Sequence, residues 1–483
     1  MNLYKLRQKA LIPLLAISLF ALPTVAGAAE ATDAAAESSD MAIIQEVLDY
    51  LEAYNIEGAE KELFLENAIR GMVYTLDDPY SDYYTEEELR DFEDSINQEY
   101  IGIGVTLRFY NNNLYITEVL AGSPASKSGL MQNDIIKKVN GQRIRTTDDI
   151  LLISGEEGSE ATLTIVRGNK TLTIPVARTH FAMPSVKGYM IPSTRIGYIA
   201  ITSFSETADK EFDTELNKLR KAGMKSIVLD LRNNLGGYVD AAQNIAKRFI
   251  RNGTLMYTAD QSGVLEAVPI TDGEDINMPV VVLTNELTAS SSEILTGALH
   301  DNGIATVVGS QTYGKARIQN LFTLSNGSSL KLTIQRYLTP NLVDFDHIGL
   351  TPDIEVNYSS IAQLITGLYK AGLRNVDIQA TASSFSINGI PFGGEYIDVI
   401  QSGNKVYVSS RILGSLVKGS VTWDNTNQKL IIKDTSGKIS GFSIASKSAK
   451  IVDSQSYIEM HEFQKKFKDV KWSYQQGVLK LSK

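Results

Sequence analysis

The strongest constraint on the fold is a pair of short apolar runs, residues 279–283 and 304–309, separated by a segment that starts Thr288-Ala-Ser-Ser-Ser-Glu293. Runs this short, rich in β-branched residues and without polar alternation, suit strands covered on both faces. Between them Ile294, Leu295, Ala298 and Leu299 give a helix one apolar stripe, and Asn302-Gly303 stops it. Two buried strands joined by such a helix imply a parallel βαβ unit with a right-handed crossover. Ser290 then falls between the carboxyl end of a strand and the amino end of a helix, where open α/β sheets place their chemistry. The same Ser290-x-x-Glu293 also satisfies a plainer pattern, the helix capping box.

Three further features bear on that choice. Gly314-Lys315 follows the second strand, 25 positions after Ser290, and no acidic residue lies between Gly303 and Val343. A lysine serves as a base near neutral pH only if its pKa falls from about 10.4 to about 7 or 8, which burial without a neighbouring carboxylate can supply. The stretch 229–237, Leu-Asp-Leu-Arg-Asn-Asn-Leu-Gly-Gly, ends an apolar strand in a turn ahead of a helix expected over 239–250. Paired glycines there either make a tight βα turn or free backbone amides to stabilise an oxyanion. Finally, the chain has no cysteine and four histidines, His180, His300, His347 and His461. His300 is ten residues along the helix from Ser290, about 15 Å away and out of reach as its base. A triad using His180 or His347 stays open at this point, although neither sits in a motif.

Together, TASSSEILTGALHD, TYGKARIQ and LDLRNNLGG resemble the carboxyl-terminal processing peptidases, tail-specific serine proteases with a Ser-Lys dyad on a crotonase-like (ββα) core. The resemblance spans roughly residues 41–356. It implies Ser290 as nucleophile, Lys315 as base and Gln319 as the glutamine that orients the lysine. It also implies an oxyanion hole from the amides of Gly236 or Gly237 and of Ser291. Two departures stand out: the family commonly reads S-A-S-A-S-E where this chain has Thr288-Ala-Ser-Ser-Ser-Glu293, and commonly has glycine where this chain has Ala316.

The 483 residues suffice for three or four domains, and a net charge of −10 argues against nucleic acid as a partner. Lys5, Arg7 and Lys9 precede an apolar run to about Val25, broken by Pro13 and Pro23, with small residues at 26–28. This reads as a secretory signal over 1–28, the alternative being a retained anchor. Export without cysteine suits the envelope or surroundings of a bacterium, with a Gram-positive source expected. Residues 29–40 read as a linker. Residues 41–95 read as helical, with stripes of Ile43, Ile44, Val47, Leu48 and Leu51, then Leu63, Leu65, Ala68, Ile69 and Met72. In the resembled family such helices can dimerise, so a homodimer is expected. The turn at 76–81 is one the family also carries, and Thr85-x-x-Glu88 predicts a capped helix.

Residues 96–178 resemble a PDZ domain in the permuted bacterial order. Gly102, Ile103 and Gly104 would present amides to a peptide carboxylate beside a strand edge; the plainer reading is a glycine-bearing hairpin without a ligand. A protease core is expected over 179–360, including a hairpin at Asn326-Gly327. Residues 375–483 repeat themselves: Tyr407 to Trp423 spans 16 positions and Tyr457 to Trp472 spans 15, each Trp followed after 7 by a leucine. Each copy reads strand, helix, strand, strand, an α+β repeat domain. It resembles the domain named for the amino-terminal part of copper amine oxidases, but His461 has no companions at ligand spacing, so no metal and no cofactor are expected. A stalk, a cell-wall contact or a partner-binding module is its expected role. The whole reads as a multidomain α/β chain, an exported serine endopeptidase that binds protein carboxyl termini and cuts upstream, with or without an activating partner. The alternative is a tail-binding adaptor or envelope scaffold that keeps the fold without the chemistry.

Overall fold

The computed structural model describes residues 16–17, 34–56, 58, 60–357 and 359–483. Apart from Ala16–Ile17, the segment read as a signal lies outside the described residues, and no helix among those described is long and apolar enough to cross a membrane. The core sheet runs in the order Val186–Met190, Ile196–Ile201, Ser226–Asp230, Val280–Thr284, Ala305–Gly309 and Ile354–Glu355. Its first pair is antiparallel and the rest are parallel. All residues of Ser226–Asp230 and of Val280–Thr284 are buried, as continuous apolar runs require when both sheet faces are covered.

The two faces have different partners. Ile227, Leu229, Val280 and Val282 pack with the helices Ala208–Lys221, Val239–Ala246 and Ser291–Asp301. Val228, Val281, Leu283 and Val308 pack with the helix Ser360–Lys370 and, in one continuous apolar cluster, with the C-terminal unit. That unit is therefore seated on the core rather than held away from it as a stalk. The helix after the paired glycines ends at Ala246 instead of Ile250, because Arg248 and Phe249 bond back three residues to Ile245 and Ala246 and tighten the last turn.

A second sheet carries Gly237–Tyr238, Ala16–Ile17, Arg317–Thr323, Ser329–Leu338, Gly253–Ala259 and Glu266–Ile270, with Asp82–Tyr84 also on Ser329–Leu338. Arg317–Thr323 and Ser329–Leu338 form the hairpin around Asn326-Gly327. The helix Ala34–Tyr54 begins inside the segment expected to be linker, where three successive alanines extend the amphipathic helix toward its amino end. The helix Glu86–Asn97 carries the expected box, with Thr85 and Glu88 capping one another.

The PDZ sheet runs Val105–Tyr110, Asn113–Val119, Ile135–Val139, Glu160–Arg167 and Lys170–Ala177, around its own apolar cluster. A ribbon of Glu99–Gly102 paired with Thr179–Ala182 ties both ends of the unit to the core. In the C-terminal unit, Lys405–Ser409, Ser410–Leu416, Ser420–Asp424 and Lys429–Lys433 run strand, helix, strand, strand. So do Gln455–Glu459, Met460–Lys466, Lys471–Gln475 and Val478–Ser482. The last strand pairs with Asp377–Ala380, just after the helix Ser360–Lys370.

Candidate active site

The turn before helix Ser291–Asp301 is stitched to the turn at 231–237 by its hydroxyls. Thr288 Oγ1 donates to the Leu231 carbonyl at 2.9 Å, Ser291 Oγ to that of Gly237 at 2.8 Å and Ser292 Oγ to that of Asn234 at 3.0 Å. Ser290 is the exception: its Oγ is fully buried and has no hydrogen-bond partner among the described residues. Its backbone, at φ 58° and ψ −118°, is not the extended conformation of a capping serine. A side-chain-bearing residue held there costs about 1–3 kcal/mol and marks an over-determined site.

Glu293 does what a capping box leaves to the glutamate, and more. Its Oε2 accepts from the amides of Ser290 and Lys315, each at 2.9 Å, and its Oε1 from the Gly314 amide at 2.7 Å and Thr312 Oγ1 at 2.5 Å. One oxygen shared by two amides places those nitrogens within about 6 Å of each other. Burial pushes the Glu293 carboxyl up, while its hydrogen bonds from Thr312 and from the amides of Lys315, Gly314 and Ser290 oppose it. Gly314, at φ 88°, has no room for a Cβ, which would meet the amides of Ile348 and Gly349 at 2.7 Å. Ala316 is buried in the core, its amide on Asp346 and its carbonyl on the Tyr337 amide. Tyr337 Oη donates to the Lys315 carbonyl at 2.5 Å.

Lys315 is fully buried, its Nζ 4.8 Å from the centre of the Tyr80 ring. Burial holds its pKa well below the ordinary lysine value, and the charge of Lys331 adds to that, against Asp78 and Glu293. Carboxylates thus do stand nearby, brought from distant parts of the chain, and desolvation still wins. Lys331 is itself nearly buried, bonded to Tyr84 Oη at 2.8 Å, and is lowered to about 8 chiefly by burial.

Gln319, on Arg317–Thr323, donates through Nε2 to Thr333 Oγ1 at 3.1 Å, and its buried Oε1 has no partner among the described residues. Gly237 passes so close to Phe204 that a Cβ would lie 2.3 Å from its carbonyl oxygen. The Gly236 amide is taken up within its own turn, donating to Asn234 Oδ1 at 2.9 Å. Ala16–Ile17 runs parallel to Gly237–Tyr238, with Ile17 also opposite Gln319, so an extended strand fits this slot. The histidine side chains are 42–70% exposed and paired with Glu99, Asp301, Asp346 and Glu459, so none joins the fully buried Ser290. Sequence reasoning missed Tyr80, Asp78, Lys331 and Tyr337, and took Glu293 for a cap alone.

In the PDZ unit, the Ile103 side chain is buried in the core, and the carbonyls of Ile103 and Gly104 accept from Ala125 and Leu120. Gly104, at φ 78°, would drive a Cβ into Ser123. Gly102 ends the ribbon strand, and Val105–Tyr110 is an edge strand of the sheet.

A mostly parallel α/β sheet with a buried serine at a strand–helix turn, tied to a PDZ-like unit, belongs to the class of PDZ-bearing serine peptidases. Residues 195–356 match Peptidase family S41, residues 101–177 a PDZ domain and residues 22–88 the "Activating protease CtpB N-terminal domain". A "Probable CtpA-like serine protease" of Staphylococcus haemolyticus (strain JCSC1435) is 32% identical over 67% of this chain and 68% of its own length. One of the same description from Staphylococcus aureus (strain COL) is 33% identical over 66% of each chain. Of a further relative of that description, from Staphylococcus aureus (strain bovine RF122 / ET3-1), the chain spans 59% of the length. A solved photosystem II D1 C-terminal processing protease is 27% identical, with a TM-score of 0.42, over 65% of this chain and 86% of its own. The chain belongs to peptidase family S41.

Proposed function

We propose that the protein is an exported serine endopeptidase that engages protein carboxyl termini through its PDZ unit and cuts upstream with a Ser290–Lys315 dyad. The observation that carries this is a strained, buried and unpartnered Ser290 hydroxyl whose backbone shares one carboxylate oxygen with that of a buried lysine. Neutral Lys315 takes the proton as Ser290 Oγ attacks the scissile carbonyl, and the amides of Gly237 and Ser291 hold the oxyanion. The protonated lysine then gives its proton to the leaving amine, and water attacking the acyl-enzyme repeats the cycle. Gln319 orients the lysine, and the substrate adds as a strand in the slot that holds Ala16–Ile17.

The same reading includes a crotonase-like core, a C-terminal repeat of the copper-amine-oxidase-N type and a homodimer. The dimer is supported by the helices Ala34–Tyr54 and Lys61–Tyr74, which leave Ile43, Val47, Leu63 and Met72 at least half exposed. The test is incubation of wild type and Ser290→Ala with casein: cleavage by the first only is expected. Equal cleavage by both, or none by either under activating conditions, overturns the reading.

A further inference from the structure

The C-terminal unit makes polar contacts in two directions. Toward the PDZ unit, Arg108 on the strand Val105–Tyr110 donates to the Ala382 carbonyl and, at 3.1 Å, to Asp398 Oδ1. Its guanidinium lies over the rings of both Tyr110 and Tyr396, and its side chain is 10% exposed. Ser383 adds a bond to Asn133. Toward the core, Glu395 meets Arg232 at 3.4 Å and accepts from Ser360 Oγ at 2.5 Å. Arg232 is buried, forked onto Asp230 and bonded to the Ser360 carbonyl. It also opens the turn whose next members are Asn233, held by Asn285, and Asn234, which binds Gly236.

Glu395 and Tyr396 are adjacent, and Asp398 follows three positions after Glu395. This short segment is pinned by Phe392, edge-on to Tyr198 at 5.1 Å, and by buried Ile397. It cannot shift at Tyr396 and Asp398 without shifting at Glu395. Between the three units lies a cleft of about 670 Å³ reached by Glu118, Arg232, Phe392 and Glu395. A desolvated guanidinium stacked on two rings and paired with a carboxylate is a specific contact rather than a solvated one.

We propose that the C-terminal unit is a clamp coupling the position of the PDZ unit to the oxyanion turn: Arg108 docks the PDZ unit on it, and Glu395 positions Arg232 from it. The role in catalysis rests on the peptidase reading above, but the coupling itself is physical and can be read without turnover.

The experiment is amide hydrogen exchange on the full chain, with casein cleavage measured on the same samples, for wild type, Arg108→Ala, Arg108→Lys, Glu395→Gln and the double variant Arg108→Ala/Glu395→Gln. Arg108→Ala is expected to speed exchange about 10-fold both in the ribbon at 99–102 and 179–182 and in residues 231–238, leaving the central strands protected. Arg108→Lys keeps the charge but loses the stacking, so it should fall between. Glu395→Gln should loosen 231–238 alone and lower kcat about 10-fold with KM little changed. The double variant should be no looser at 231–238 than the worse single one, the sign of coupling. A loosened ribbon with unchanged exchange at 231–238, or additive effects in the double variant, would overturn the clamp. Where Arg108→Ala lowers the melting temperature of the whole chain, Asp398→Asn at the half-exposed end of the contact gives the same comparison. The expected exchange pattern without any casein cleavage would support the clamp and count against the peptidase reading alone.

Discussion

Ser290 and Lys315 both sit where their side chains are expensive to keep. A serine at φ 58° is strained, and a lysine out of water loses its charge. On the proposed mechanism Ser290→Ala and Lys315→Met each lower kcat/KM by at least about 10⁴-fold while leaving the fold intact, as casein turnover and circular dichroism can check. Only the neutral amine accepts a proton, so kcat/KM should rise with pH through the depressed pKa of Lys315 and need no strongly alkaline medium. Lys331 sharpens this. Its charge disfavours a second one on Lys315, so Lys331→Met should raise the pKa of Lys315 and move the acid limb of the pH–rate profile upward. The same variant tests stability. In the folded chain Lys331 titrates near 8 against an ordinary 10.5, so between those values the unfolded chain holds more protons and stability rises with pH. Below that window the buried charge costs on the order of 3 kcal/mol. Denaturant titrations of Lys331→Met should show that slope reduced to the part that Lys315 contributes in the same window; an unchanged slope would mean the amine is better solvated than its burial implies.

At the scale of elements, Glu293 joins the helix Ser291–Asp301 to the lysine loop, and an amide cannot replace it. Whichever way a glutamine side chain turned at this position, its NH₂ would face either the Gly314 N–H or the amides of Ser290 and Lys315. Glu293→Gln is therefore expected to cost roughly 2–4 kcal/mol of stability and, by shifting nucleophile against base, about 100-fold or more in kcat. Thermal unfolding beside single-turnover kinetics would separate the two effects, and a stable, active variant would refute the role. Here the limits of the sequence are plain. The strands at 280–284 and 305–309, the PDZ sheet and the 326–327 hairpin were legible because period, apolar runs and turn residues are local signals. Glu293 read as a cap because its other partners, Thr312, Gly314 and Lys315, lie 19 to 22 positions on. Tyr80 and Asp78 sit in the turn at 76–81, but nothing local says that a turn closes over a distant lysine. Lys331 lies on a hairpin strand, where alternation gives a lysine to solvent by default. The apolar runs of the core strands showed that a second face was covered; what covers it, residues 361–481, begins some 80 positions later.

The whole molecule is divided unevenly. The core and the C-terminal unit share one apolar cluster, whereas the PDZ unit has a cluster of its own. It meets its neighbours through a two-stranded ribbon and polar contacts such as Lys187 with Glu118 at 3.0 Å and Arg108 with Asp398. The Lys187–Glu118 pair, partly exposed on both sides, contributes about 0–1 kcal/mol, and an interface that small and polar permits domain motion about the Arg108 contact. Moving a two-state unit from 1:99 to 99:1 takes about 5.5 kcal/mol of differential binding, within the reach of a peptide that pairs with an edge strand and places its carboxylate on backbone amides. The edge Val105–Tyr110 begins directly after Gly104, so strand pairing and carboxylate capture would fall on one peptide. An apolar peptide with a free carboxyl terminus, added in trans, should therefore change the rate of casein cleavage, and its carboxyl-terminal amide should not. Removal of residues 101–177 should abolish the difference between the two peptides and alter activity or selectivity. If acid and amide act alike, the carboxylate is not what the loop at 102–104 reads; if the shortened chain behaves as the full one on every substrate, the PDZ unit does not gate the site.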